Sequence, residues 1–104
     1  MTIQVGNVTT SAASVYTSVG NTAITFLSLC NYTAGNVAAN VFVVPSGGTP
    51  SNTNVIINNI NITVGDTFQL YAASEKLLLN NGDSVQVDAN ANNAITAVTS
   101  YTSI

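Results

Sequence analysis

Apolar and polar positions alternate with a period of two along most of this chain. No window holds a sustained i, i+3, i+4, i+7 apolar stripe, so the pattern predicts strands rather than helices. Residues 23–30 set Ile24, Phe26 and Cys30 on one face and Ala23, Leu27 and Leu29 on the other, as a central strand of a two-layer protein would. Residues 37–44 repeat the pattern, with Val37, Ala39, Val41 and Val43 against Ala38, Asn40, Phe42 and Val44. Pro45 ends that strand by removing a ladder donor. Ser46–Asn54, with Gly47, Gly48 and Pro50, is the longest loop signal.

Residues 55–64 alternate from Ile60 through Ile62 to Val64, and Gly65-Asp66 reads as a turn. Thr67–Tyr71 sends Phe68 and Leu70 inward, and residues 76–79 continue as an apolar run. Asn81-Gly82 is the best hairpin signal, since both residues tolerate φ > 0. Ser84–Ala89 points Val85 and Val87 inward and Gln86 and Asp88 outward. After a turn at Asn90–Asn93, the last strand is Ile95–Tyr101. Strands of this length and spacing predict an all-β fold: an antiparallel β-sandwich of seven to eight strands, Ig-like or jelly-roll-like. With no linker or repeat, residues 1–104 read as one domain. Residues 1–14 serve as an edge strand or an arm reaching towards a neighbour.

Composition explains what kind of surface this sandwich carries. Valine, isoleucine and threonine number 35 of 104 residues, and their branched side chains suit pleated strands. Charge is nearly missing: Asp66, Glu75, Lys76, Asp83 and Asp88 are the whole complement, with a net charge of -3. One lysine and no arginine or histidine exclude a basic nucleic-acid footprint and polybasic membrane anchoring. Fifteen asparagines, 14 threonines and 10 serines supply uncharged polarity instead. Such a surface hydrogen-bonds well and repels its own kind weakly, which suits a protein that lives docked to others. The start, MTIQVGNVTT, has no signal-peptide pattern, and nowhere do 18 apolar residues run together. The chain therefore reads as soluble, unprocessed and made in the cytoplasm.

Candidate chemistry is sparse. Triads built on histidine are impossible, and each carboxylate sits in a turn or beside a strand end, where turn chemistry accounts for it. The expectation is no enzyme, no catalytic, cofactor-binding or metal-binding residues, and no cofactor. Asp88, Asn90 and Asn92 have the spacing that opens a calcium loop. Asn93 stands where the turn glycine belongs and Thr99 where the bidentate glutamate belongs, so a polar turn is the better reading. Sequons at Asn7, Asn31 and Asn61 are no more than this composition gives by chance. Cys30, beside Ile24 and Phe26, reads as a small buried hydrophobe. Tyr16, Tyr32, Tyr71 and Tyr101 are either a sugar-stacking platform or, as scattered tyrosines usually are, caps on a core.

The segment VYTSVGNTAITFLSLCNYTAGNVAANVFVVPSGG from Val15, followed by NITVGDTFQLYAASEKLLLNNGDSVQVDANANNAITAVTSYTSI, resembles a pattern of small β-sandwich virion proteins of tailed phages, of the cyanophage or marine-phage type. It joins a tyrosine-threonine strand, a strand ending in Cys-Asn, a valine-rich strand and an L-x-L-x-x-G-D-x-V-x-V run. The resemblance spans residues 15–104 and departs from the pattern in its low charge. It implies a non-enzymatic structural protein of the virion, on the capsid surface or at the neck, packed in multiple copies against itself and against capsid or head–tail proteins. The chain has no length for a fibre shaft. The alternative is a host-recognition module that binds carbohydrate through loops 46–54 and 90–93.

Overall fold

The structure, a computed structural model, describes residues 2–70 and 77–104. Nine strands make it up: β1 (Thr2–Val8), β2 (Ala13–Thr17), β3 (Thr22–Asn31), β4 (Val37–Val44), β5 (Val55–Ile62), β6 (Thr67–Leu70), β7 (Leu77–Leu79), β8 (Ser84–Ala89) and β9 (Ile95–Ser103). There is no helix among the described residues. One sheet has the order β1-β9-β3-β6, with β7 also on β3; the other has the order β2-β8-β4-β5. Every pairing is antiparallel. We call these sheet A and sheet B.

The all-β sandwich expected from the alternation is thus what the chain forms, with one more strand than the count of seven to eight. The extra strand is a subdivision. β6 pairs with Leu27–Cys30 and β7 with Thr22–Ile24, so together they fill one strand position along β3. The paired couples are then β1 with β9, β2 with β8, β3 with β6 and β7, and β4 with β5. This is a long hairpin rolled over itself, the jelly-roll connectivity rather than the Ig-like one. Residues 1–14, expected as an edge strand or arm, supply β1 at the edge of sheet A and the start of β2.

Three expectations about faces and turns need correction. Strict alternation put Ile24 on the same face as Phe26 and Cys30, but β3 carries a bulge. Ile24 opposes Tyr101 and Phe26 opposes Ser100, which leaves Thr25 as an extra residue. The extra residue shifts the side-chain phase by one. Ile24, Leu27 and Leu29 consequently all point into the core, while Phe26 and Cys30 lie half-buried on the outer face. Cys30 and Ile24 are on opposite sides of the sheet, and Cys30 is half-buried outside the core rather than a buried hydrophobe beside Ile24.

The second correction concerns Asn81-Gly82. A type I′ hairpin turn needs φ > 0 at both central residues and a type II′ turn at the first, but of Asn81 and Gly82 only the second, Gly82, has it, at 88°. The turn, closed by Asp83 N–H donating to the Asn80 carbonyl, carries the chain from sheet A to sheet B instead of joining paired strands. The alternation of residues 55–64 also stops early: Ile60 and Ile62 turn inward, but β5 ends at Ile62 and Val64 is exposed in the following turn.

The core lies between the sheets. Sheet A contributes Val8, Ile24, Leu27, Leu29, Leu79, Ile95 and Ala97; sheet B contributes Val15, Val37, Ala39, Val41, Val85 and Val87. Of the expected inward set, Phe68 packs against this cluster, and the side chain of Leu70 lies outside the described residues. Most of the cluster is short and β-branched or Ala, which lets the two sheets approach closely.

Polar side chains lock the two ends. Asn31 is fully buried, and its amide nitrogen donates to the carbonyls of Gly35 (2.8 Å) and Ile62 (2.8 Å). Its Oδ1 accepts from the N–H (3.0 Å) and Oγ1 (2.7 Å) of Thr33. One residue thereby ties the β3–β4 turn to the end of β5 across the sandwich. At the far end Tyr16 donates its hydroxyl to Thr22 Oγ1 (3.3 Å), which pairs with Ser18 Oγ (2.8 Å), which donates to the Gly20 carbonyl (2.7 Å).

Candidate functional site

The jelly roll sorts its loops into two groups. Turns β1–β2, β3–β4, β5–β6 and β8–β9 share one end, and turns β2–β3, β4–β5 and β7–β8 share the other. Each described carboxylate can now be placed. Asp66, at the first end, accepts from Thr63 Oγ1 within its own turn. Asp83, at the second end, accepts the N–H groups of Ser46 (2.9 Å) and Asn80 (3.0 Å) and so joins two loops. Asp88 stands on the outer face of sheet B and accepts from Asn40 Nδ2 (2.7 Å). The three are not brought together: Asp66 accepts from a hydroxyl, Asp83 from backbone N–H groups and Asp88 from a side-chain amide. Glu75 and Lys76 lie outside the described residues.

The calcium-like spacing resolves in the same way. Asp88 serves Asn40, Asn90 Oδ1 accepts from Ala38 N–H (3.1 Å), and Asn92 Oδ1 accepts from Thr10 N–H (2.8 Å). Three oxygens aimed at three separate donors do not converge on a cation. Asn93 takes a left-handed φ of 54°, the conformation for which a calcium loop would use glycine. The polar-turn reading accounts for all four residues.

The tyrosines divide as well. Tyr16 and Tyr101 stack inside the sandwich with ring centroids 4.2 Å apart. Tyr32 is exposed at the opposite end, where its hydroxyl accepts from Asn7 Nδ2 (3.0 Å), and Tyr71 lies outside the described residues. Loops 46–54 and 90–93, named as the sugar-binding pair, sit at opposite ends of the molecule. Among the described residues there is no enclosed cleft and no cluster of three or more metal-ligating side chains.

What remains is the outer face of sheet A. Reading across it from β1 to β6, one row is Val5, Val98, Ser28 and Gln69; the next is Asn7, Thr96, Cys30 and Thr67; and Ile3, Ser100 and Phe26 form a third. Leu78 of β7 lies on the same face. Ile3 (64%), Val5 (63%) and Leu78 (65%) are among the most exposed large apolar side chains described. Asp66, Asp83 and Asp88 all lie elsewhere. This face is a mosaic of apolar groups, hydroxyls and amides without a described charge, so bringing it against another surface desolvates no ion. Sequence reasoning missed it because residues 1–14 were read as an edge strand or arm with no faces assigned, and the bulge at Thr25 hid which side of β3 faces out.

A scan against protein-family models and searches of curated proteins and of solved structures found no match to this chain.

Proposed function

We propose that this chain is a non-enzymatic structural component of a tailed-phage virion, packed in multiple copies on the capsid surface or at the head–tail neck. The observation that carries this reading is the outer face of sheet A, which bears no charge among the described residues and exposes Ile3, Val5 and Leu78. Such a face acts through contact area. Apolar burial contributes roughly 25 cal/mol per Å², and many copies in a symmetric array add modest contacts multivalently. Low charge favours this use, because like copies approach with little repulsion. Jelly rolls serve both in capsids and in lectins, so the fold alone does not choose between the two. The opposite placement of loops 46–54 and 90–93 and the inward stacking of Tyr16 on Tyr101 give glycan binding little to work with.

The test is quantitative mass spectrometry of purified particles, scaled to the major capsid protein. Hundreds of copies per particle indicate a lattice decoration, and on the order of a dozen, as one closed ring at a unique site could hold, indicate the neck. Absence from washed particles overturns the reading, and saturable binding to a glycan array would then put host recognition in its place.

A further inference from the structure

An edge strand presents a row of unpaired N–H and C=O groups, and proteins usually blunt it with brevity, a bulge, proline or charge. Four strand positions lie at sheet edges here, and three are blunted. β2 has five residues and a register break between Ser14 and Tyr16. β5 breaks register with β4 twice, and its Asn59 holds a left-handed φ of 57° fixed by N–H donation to Asn40 Oδ1. The edge formed by β6 and β7 consists, among the described residues, of pieces of four and three residues. β1 has none of these devices. Its seven residues, TIQVGNV, keep an unbroken register with β9 from Thr2↔Tyr101 to Val8↔Ile95 and contain no charge and no proline. Among the described residues no strand pairs with its other side.

We propose that β1 pairs antiparallel with β1 of a second copy, joining two A sheets into one continuous sheet across a two-fold axis. The occupant follows from the strand's own symmetry. Directly opposed residues of an antiparallel pair share a face, so the dyad must pass through a residue rather than between two. A dyad through Gln4 sets Ile3 of each copy against Val5 of the other and Gln4 against Gln4. The four apolar side chains then form one cluster on the joint outer face, where Ile3 and Val5 are now exposed. The charges argue the same way. Two copies that each carry -3 meet along strands bearing no carboxylate, and Asp66, Asp83 and Asp88 lie off β1. The inference rests on the reading of the chain as self-assembling but not on its place in a virion.

Seven residues of edge fall short of the ~800 Å² per partner of a standard stable interface, so the pair should be concentration-dependent. Sedimentation velocity from about 1 to 500 µM, a range chosen around affinities expected of small interfaces, is expected to show a monomer–dimer equilibrium. Val5→Lys is expected to weaken it at least tenfold while leaving the circular dichroism spectrum and Tm unchanged. Register is read separately by oxidative cross-linking in a Cys30→Ser background. Gln4→Cys should form a disulfide-linked dimer, and Val19→Cys, on the exposed β2–β3 turn, should not. A monomer at every concentration overturns the proposal, as does a dimer unaffected by Val5→Lys with no Gln4→Cys cross-link. Mass spectrometry of particles tests the virion reading independently, so either idea can fail alone.

Discussion

The same substitution at two buried threonines should change stability in opposite directions. Thr99, on the inner face of β9 between Gln4 and Leu27, is fully buried, and its Oγ1 has no hydrogen-bond partner. Thr22 is also buried, but its Oγ1 takes the Tyr16 hydroxyl and pairs with Ser18 Oγ. Valine matches the shape of threonine and removes only the hydroxyl. Leaving a hydroxyl unpaired in the interior costs about 1–3 kcal/mol, so Thr99→Val is expected to stabilise by roughly 1–2 kcal/mol. Thr22→Val leaves the buried Tyr16 hydroxyl without its acceptor and takes from Ser18 Oγ one of its two partners, the Gly20 carbonyl remaining, and is expected to destabilise by about 1–3 kcal/mol. In a domain near 100 residues each kcal/mol moves Tm by about 4–8 °C. Urea unfolding at neutral pH, with an unchanged m-value required in both variants, measures the difference directly. A Thr99→Val variant that loses 0.5 kcal/mol or more, on the order of the smallest meaningful mutational effect, would show that the hydroxyl is satisfied and refute the reasoning.

Three further outcomes are expected. Asn31→Ala removes the amide that holds the Gly35 and Ile62 carbonyls and the acceptor for Thr33; it should cost about 3 kcal/mol or more, read as a lowered urea midpoint. Gly82→Ala puts a Cβ 2.5 Å from Ser46 Oγ and 2.9 Å from its Cβ on a backbone at φ 88°; a loss of about 1–3 kcal/mol is expected by thermal melting. Ile24→Ala should cost about 2–5 kcal/mol and Phe26→Ala clearly less than a fully buried phenylalanine would. Equal large losses would contradict the bulge at Thr25.

What the sequence disclosed depended on whether local pattern or long-range register decided the outcome. β4 and β8 are regular, and their alternation named their limits; for β8 it also put Val85 and Val87 inward, while for β4 it separated the two faces and the structure shows that the one with Val37, Ala39 and Val41 meets the core. β3 is regular in composition but not in geometry. Nothing in TAITFLS distinguishes a bulged from an unbulged strand, because the extra residue is specified by the partner ladder on β9. The Asn81-Gly82 pair shows the same limit from another side. The turn residues were right, since Gly82 supplies the positive φ, but whether a turn returns along its own sheet or crosses to the other is set by packing far away in sequence. β1 was the least legible strand. Its outer row of Ile3, Val5 and Asn7 and inner row of Gln4, Gly6 and Val8 are both mixed, so alternation carries little contrast. The candidate surface was hidden for the same reasons, because it is built from β1, the outer side of the bulged β3, and β9.

Low charge and the arrangement of edges bear on each other. A protein with charge to spare guards its edges with lysine and keeps its copies apart by repulsion. With one lysine in 104 residues that route is closed here, and three edges are guarded by geometry instead: a short β2, a bulged β5 held by Asn40 and Asn59, and a divided edge along β3. Geometric guarding needs no ions, which is consistent with asparagine, serine and threonine carrying the polar work throughout. It also makes an unguarded edge conspicuous. An exposed, unbroken, uncharged strand in a weakly self-repelling protein associates with something, and the choice lies between uncontrolled stacking and a closed pair. Antiparallel pairing of β1 on itself closes, because a dyad uses up both free edges and presents no new one in sheet A on that side. The edge along β6 and β7 then becomes the outer boundary of the joined sheet, and it is the edge already divided.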